Sequence, residues 1–333
     1  SGRTFCPGTG RLQDMESFEQ VLRAWKRQIE FFARATVAID TAADTALEEN
    51  VPDVICSALV QECIERGKTI KEGGAKYDFI SGLQVGMANL ANSLAAIKTL
   101  VFEQKKISPA ELMEALDADY EGPAGERLRQ LLLQRAPKYG NDDDSVDGLL
   151  REAYSLFLDE IARHHNTRYG RGPIGGTYYG GTSSVAANVP SGAAVGATPD
   201  GRKAGRPLAE GSSPSSGTDR LGPTAVLKSV SKLPAERIVG GVLLNQKLSP
   251  AAIRDEKDRL KLIRMLRTFF DELKGWHVQY NIVSRETLLA AQADPESHRD
   301  LVVRVAGYSA FFTILAPETQ DDIIARTEHT LAG

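Results

Sequence analysis

Arg304-Val305-Ala306-Gly307-Tyr308-Ser309-Ala310-Phe311 is the stretch on which the reading of this chain turns. The apolar run 301–305 reads as a strand that breaks at Ala306-Gly307. Glycine tolerates backbone angles closed to other residues, so Gly307 taken alone is an ordinary turn residue. Its surroundings give it weight. Upstream, 276–283 alternates like a strand and 249–274 reads as an amphipathic helix. The segment 294–300 leads into 301–305, and a last helix is expected over 317–330.

Further toward the N-terminus the chain is helix-rich. The apolar spacing of Phe18, Val21, Leu22, Trp25, Ile29, Phe32 and Ala35 is close to 3.6 and predicts a helix over 17–48. A second is expected over 54–66, closed by Gly67. It would place Cys56 and Cys63 on roughly one face, as small buried hydrophobes. Gly73-Gly74 reads as a turn and 84–103 as a strongly apolar helix. Ser108 N-caps a helix with Pro109 in its first turn. Short helices over 126–134 and from 142 to about 165 follow. Asp142, Asp143 and Asp144 suit the positive end of the latter's dipole better than a metal, because consecutive acids do not readily converge on one ion. The tract 166–217 is rich in Gly, Ser, Thr and Pro and reads as loop and short strand, a length usually kept for function. The runs 224–232 and 237–244 are strand or helix candidates.

Bulk composition is that of an ordinary globular chain: 333 residues, 42% hydrophobic, 25% charged, formal net charge −4. Nothing basic enough for nucleic acid stands out, and no apolar run is long enough to cross a bilayer, so a cytoplasmic protein is expected. Three cysteines, Cys6, Cys56 and Cys63, give neither a disulfide framework nor a metal-ligand spacing. No metal site is expected.

The Arg304–Phe311 string closely resembles the radical-bearing loop of the glycyl radical enzymes, the family of pyruvate formate-lyase and the glycerol and choline lyases. The resemblance extends along nearly the whole chain, in the expected order. It includes Gly73-Gly74-Ala75-Lys76-Tyr77, Ser93-Leu94-Ala95-Ala96-Ile97-Lys98 and Tyr139-Gly140-Asn141-Asp142-Asp143. It continues with Ala197-Thr198-Pro199-Asp200-Gly201-Arg202, Pro207-Leu208-Ala209-Glu210-Gly211, Gly222-Pro223-Thr224-Ala225 and Ser229-Val230-Ser231-Lys232. His277-Val278-Gln279-Tyr280-Asn281 and the run 323–329 complete it.

The resemblance implies an α/β fold: part of a ten-stranded α/β barrel of the pyruvate formate-lyase type over 1–196, and a glycyl radical domain over 197–333. It implies a radical on the α-carbon of Gly307, installed by an S-adenosylmethionine-dependent activating enzyme, with no permanently bound cofactor. Delocalisation between amide nitrogen and carbonyl needs a nearly planar carbon, and a side chain would crowd it. The chain then acts as its own cofactor. Arg304, Tyr308 and Phe311 are expected to support the loop, the two aromatics excluding water and oxygen. In the family the glycyl radical passes to a cysteine on a facing loop, whose thiyl radical attacks substrate, and oxygen cleaves the chain at the radical glycine.

That cysteine loop, Gly-Cys-Val-Glu in type, has no counterpart here, and none of the three cysteines fits it. The chain resembles the part of the family beginning just past that loop. The expectation is therefore a fragment or a subunit that oligomerises, with a second chain supplying the cysteine. Asn188-Val189-Pro190 resembles the diol-dehydratase branch, but Ser183-Ser184-Val185 stands where that branch carries a tyrosine. Ser183, Val185 and Asn188 are the pocket candidates, with His277 a possible acid or base. The pair His164-His165 reads as a solvated helix end. Dehydratase-like lyase chemistry on a small polar substrate is the leading expectation. Formate acetyltransferase-like or decarboxylase-like chemistry, or a silent radical-domain subunit, are its rivals.

Overall fold

A computed structural model describes residues 5–182 and 185–331. The first part is helical. It runs α1 (Phe18–Asn50), α2 (Val54–Leu59), α3 (Cys63–Arg66), β1 (Tyr77–Leu83), α4 (Met87–Ala96), α5 (Pro109–Asp117), α6 (Gly122–Arg135), α7 (Asp144–Ile161), β2 (Ile174–Gly181) and α8 (Asn188–Ala193). The second part runs α9 (Gly222–Ser231), β3 (Leu243–Leu248), α10 (Glu256–Arg267), β4 (His277–Ile282), α11 (Arg285–Ala293), β5 (Val302–Arg304), β6 (Ser309–Phe311), α12 (Pro317–Ala325) and β7 (Glu328–His329).

Strands β1 and β2 pair in parallel, as do β4-β3-β7, while β5 and β6 form an antiparallel hairpin. Parallel pairs need helical crossovers, which is why helices separate these strands in sequence. The β1–β2 register slips by one residue at Asp78/Phe79, where Gly176 at φ +78° is the extra residue of a bulge.

Two apolar cores form. The larger gathers Ala88, Ala91 and Leu94 of α4, Leu150 and Ala153 of α7, Val226 of α9, Leu244 of β3 and Phe269. The smaller gathers Leu288, Ala291, Val303, Val305, Phe312, Ile323 and Ile324. Residues after 197 thus contribute to both.

Polar clusters tie the elements together. Arg168, almost fully buried, bonds Asp78 of β1 at 2.5 Å and Asp44 of α1, which also takes Lys71 at 2.6 Å. Burial works against the guanidinium charge, but the two carboxylates outweigh it and raise its pKa. Lys232, which caps the C-terminus of α9, grips Asp142, Asp144 and Asp147 at 2.7–2.8 Å. Lys228 also pairs with Asp142 at 2.9 Å, so the acid cluster at the start of α7 is ion-paired to two lysines, with Asp143 as the helix N-cap.

Several expectations need correction. The helix expected over 54–66 is two helices, with Glu62 in the left-handed region between them. Cys63 is buried but Cys56 is exposed, so they do not share a buried face. The run 84–103 is α4 followed by a π-helical turn over Ile97–Glu103. The run 249–274 begins as a 3-10 turn, is α-helical only over α10, and ends in a π turn. The run 317–330 stops at Ala325 and ends as β7. Strand β1 and helix α11 were not foreseen. Within the tract 166–217, read as loop and short strand, residues 185–189 are not strand: Val185 and Ala186 have φ +47° and +66°, and α8 starts at Asn188.

Candidate functional site

The hairpin sets Val302 against Phe311, Val303 against Ala310 and Arg304 against Ser309. Strand alternation sends Val303 inward, and Val305 is likewise buried. The Val305 N–H donates to the Tyr308 carbonyl at 2.9 Å, closing a four-residue turn. Gly307, at its third position, has φ +84°. A residue with a side chain is strained there, so glycine is required for the turn as well as for any chemistry.

Beyond the β5–β6 pairing, side chains hold the base of this turn. The Asn281 amide of β4 accepts from Arg304 N–H and donates to the Arg304 carbonyl, both at 2.8 Å. It stands in for a neighbouring strand and satisfies both backbone groups. The Arg304 guanidinium donates to Gln279 Oε1 at 3.1 Å and to Ser309 Oγ at 3.0 Å. The Val305 carbonyl accepts from Arg326 Nη1 at 2.9 Å and from Asn245 Nδ2 at 3.4 Å.

The tip is open. Gly307, Tyr308 and Ser309 are exposed in this chain. Tyr308 is 39% and Phe311 47% exposed, so the shielding expected of them is not provided within these residues. Alternation explains this: Phe311 lies on the outer face of β6, and the aromatic that enters the core is its neighbour Phe312.

The pocket candidates separate. Ser183 lies outside the described residues. Val185 is 56% exposed on its strained turn. Asn188 is buried, bonding the Leu208 carbonyl at 3.2 Å and Asp322 Oδ1 at 3.3 Å. His277 lies on β4, the strand packed beside β5, but away from the Gly307 turn. It opens β4, four residues before Asn281, on the order of 13 Å along the strand. Burial lowers its pKa, which leaves it neutral at pH 7. The residues that reach Arg304 are Gln279 and Asn281, on the same face. Of the other histidines, His164 bonds Glu160 at 3.2 Å and His165 stacks on Tyr169.

Sequence reasoning missed Gln279, Asn281, Asn245 and Arg326. The first two were legible as the remaining odd positions of His277-Val278-Gln279-Tyr280-Asn281. Arg326 lay in the 323–329 motif, but nothing local showed that it turns back onto residue 305.

A cavity of about 750 Å³ is lined by Asn89, Asp200, Arg202, Asn245, Lys247 and Arg326 among others. Gly307 is not on its wall. Asn245 and Arg326 are the lining residues that bond Val305. Among the described residues no group of three His, Cys, Asp or Glu could hold a metal ion.

Comparison with known proteins bears directly on this geometry. The family model "Pyruvate formate lyase-like" matches residues 1–192, and "Glycine radical" matches residues 208–313. The chain is 62% identical over 333 residues to "Probable dehydratase YbiW" of Escherichia coli (strain K12), spanning 99% of this chain and 41% of that protein. It is 36% identical over 325 residues to trans-4-hydroxy-L-proline dehydratase of Clostridioides difficile, spanning 97% and 40%. The solved structure of glycerol-bound B12-independent glycerol dehydratase from Clostridium butyricum superposes with a TM-score of 0.91 at 42% identity, covering 99% of this chain and 41% of that one. The chain thus spans about two fifths of the length of these relatives. Its fold is that of a pyruvate formate-lyase-type α/β protein with a glycine radical unit, and the chain belongs to the pyruvate formate lyase-like, glycyl radical family.

Proposed function

We propose that this chain stores a radical on Gly307 and passes it to a cysteine outside these 333 residues, for lyase chemistry that eliminates water or a similar leaving group from a small polar substrate. The observation that carries the reading is the turn: its base is clamped by five hydrogen bonds to Arg304 and Val305, and its tip is open. Hydrogen-atom transfer needs the α-carbon of Gly307 within reach of a facing sulfur, and an open tip on a fixed base allows that approach. None of Cys6, Cys56 and Cys63 hydrogen-bonds the residues that hold the turn, among those described.

The dehydratase names of the relatives support elimination over acyl transfer. The exposed Val185 and the buried Asn188 are proposed to stand at the pocket's edge, with Ser183. A division near residue 196 into barrel portion and radical domain agrees with the two family matches, which end at 192 and begin at 208. A radical-activating enzyme that uses S-adenosylmethionine, and a second polypeptide bearing the cysteine loop, are the proposed partners, in the cytoplasm. No described helix is long and apolar enough to cross a membrane.

The test is anaerobic incubation with an S-adenosylmethionine-dependent activating enzyme, then exposure to air and mass spectrometry. Cleavage at Gly307 in the wild type, absent from Gly307→Ala, is expected. An intact wild-type chain after a demonstrated activation cycle would overturn the assignment. The isolated chain should turn over no substrate.

A further inference from the structure

The Val305 carbonyl ends a chain of contacts that starts at Asn188 of α8. Asn188, the first residue of α8, is anchored by a two-way exchange with Leu208. Its Nδ2 donates to the Leu208 carbonyl at 3.2 Å, and its carbonyl accepts the Leu208 N–H at 3.1 Å. The same Nδ2 donates to Asp322 Oδ1 of α12 at 3.3 Å. Asp322 Oδ2 takes Arg326 Nη2 at 2.9 Å, and Arg326 Nη1 donates to Val305 O at 2.9 Å.

Three features set this line apart from a surface ion pair. The Asp322 and Arg326 side chains are only 10% and 12% exposed, so water screens them little. Each carboxylate oxygen has one partner, which fixes the carboxylate plane and through it the guanidinium. The segment leading into Asn188 carries two left-handed non-glycine residues, Val185 and Ala186, and Ala186 packs against the core that holds Val305. A β-branched residue at φ +47° persists only where its surroundings hold it there.

We propose that Arg326 is a positioning residue for the Gly307 turn, with Asp322 and Asn188 as its supports. The three register the radical turn on the 185–188 segment. This rests on the radical reading of Gly307 and deepens it: the segment proposed for the pocket's edge and the turn proposed to hold the radical are placed relative to one another by a single polar line. Arg326 touches the carbonyl two residues before Gly307, so it acts through the backbone and not on the reacting atoms.

The experiment compares the wild-type chain with Arg326→Gln, Arg326→Lys, Asp322→Asn and the double variant Arg326→Gln/Asp322→Asn. Backbone amide exchange is read over 302–311 and over the β3 strand, and the radical spectrum is read after anaerobic activation. Arg326→Gln should speed exchange over 302–311 about tenfold while leaving β3 unchanged, the size expected for losing one charge-assisted hydrogen bond. Asp322→Asn should do the same more weakly, Arg326→Lys should recover part, and the double variant should be no worse than Arg326→Gln alone. The glycyl hyperfine splitting should broaden in Arg326→Gln. Exchange that rises equally in β3, or additive effects in the double variant, would overturn the proposal, and so would unchanged exchange and spectrum. If Arg326→Gln does not fold, Asp322→Asn and Arg326→Lys carry the same comparison. Absence of any radical in the wild type overturns the Gly307 reading itself, separately from the exchange results.

Discussion

At the scale of single residues, two properties of Gly307 coincide. The turn needs a residue at φ +84°, and the radical storage proposed for it needs a carbon without a side chain. Gly307→Ala should therefore lose about 1 kcal/mol from the left-handed backbone penalty, read as a small shift in denaturant midpoint, and lose the radical completely. A merely structural glycine would show only the first effect. Asn281 offers a second check. Its amide satisfies both backbone groups of Arg304, so Asn281→Ala should cost about 1–3 kcal/mol. Exchange of the Arg304 amide should rise with it, and an unperturbed Arg304 amide would contradict the docking described.

At the scale of elements, the buried Asp44–Arg168–Asp78 cluster joins α1 to β1 and to the loop before β2. Removing the cation leaves the buried Asp78 carboxylate without its charge partner, while Asp44 keeps only Lys71. Arg168→Met should destabilise the chain by about 3–5 kcal/mol, measured by chemical denaturation, and a change below about 1 kcal/mol would mean the cluster is solvated. Periodicity made the long helices legible: 17–48 against Phe18–Asn50, and Ser108 capping Pro109–Asp117 with a capping box. It failed where tertiary pairing decides. Strand β1 contains Gly82 and Asp78 and forms because β2 lies beside it, and the Asn166–Gly217 tract hides β2 among glycines. At the site, Gly307 and Arg304 were legible from one local motif. The clamps Asn245 and Arg326 lie 60 and 21 residues from Val305 in sequence, so only the fold brings them together.

At the scale of the molecule, the balance of charge and burial makes a pH prediction. Lys138 is buried with its ammonium on the Leu132 carbonyl, and burial pulls its pKa down to about 8 from 10.5. Between these values the unfolded chain holds a proton that the folded chain has released, so stability rises with pH through this window and the burden is full below it. Lys138→Met should remove that slope. The wild type should gain on the order of 1 kcal/mol relative to the variant between pH 7.5 and 9.5, read from paired denaturation curves, and parallel curves would contradict the burial argument.

The same scale holds the exposed apolar side chains of α2 and α3, Val54, Ile55, Leu59 and Ile64, and the open turn at Gly307. Both faces agree with a chain that spans about two fifths of its relatives' length. The measurement that tests the central claim most directly is electron paramagnetic resonance of the anaerobically activated chain. The account predicts a doublet that collapses toward a singlet when glycine α-hydrogens are deuterated and that is absent from Gly307→Ala. No doublet in the wild type, or one that survives in Gly307→Ala, would contradict it.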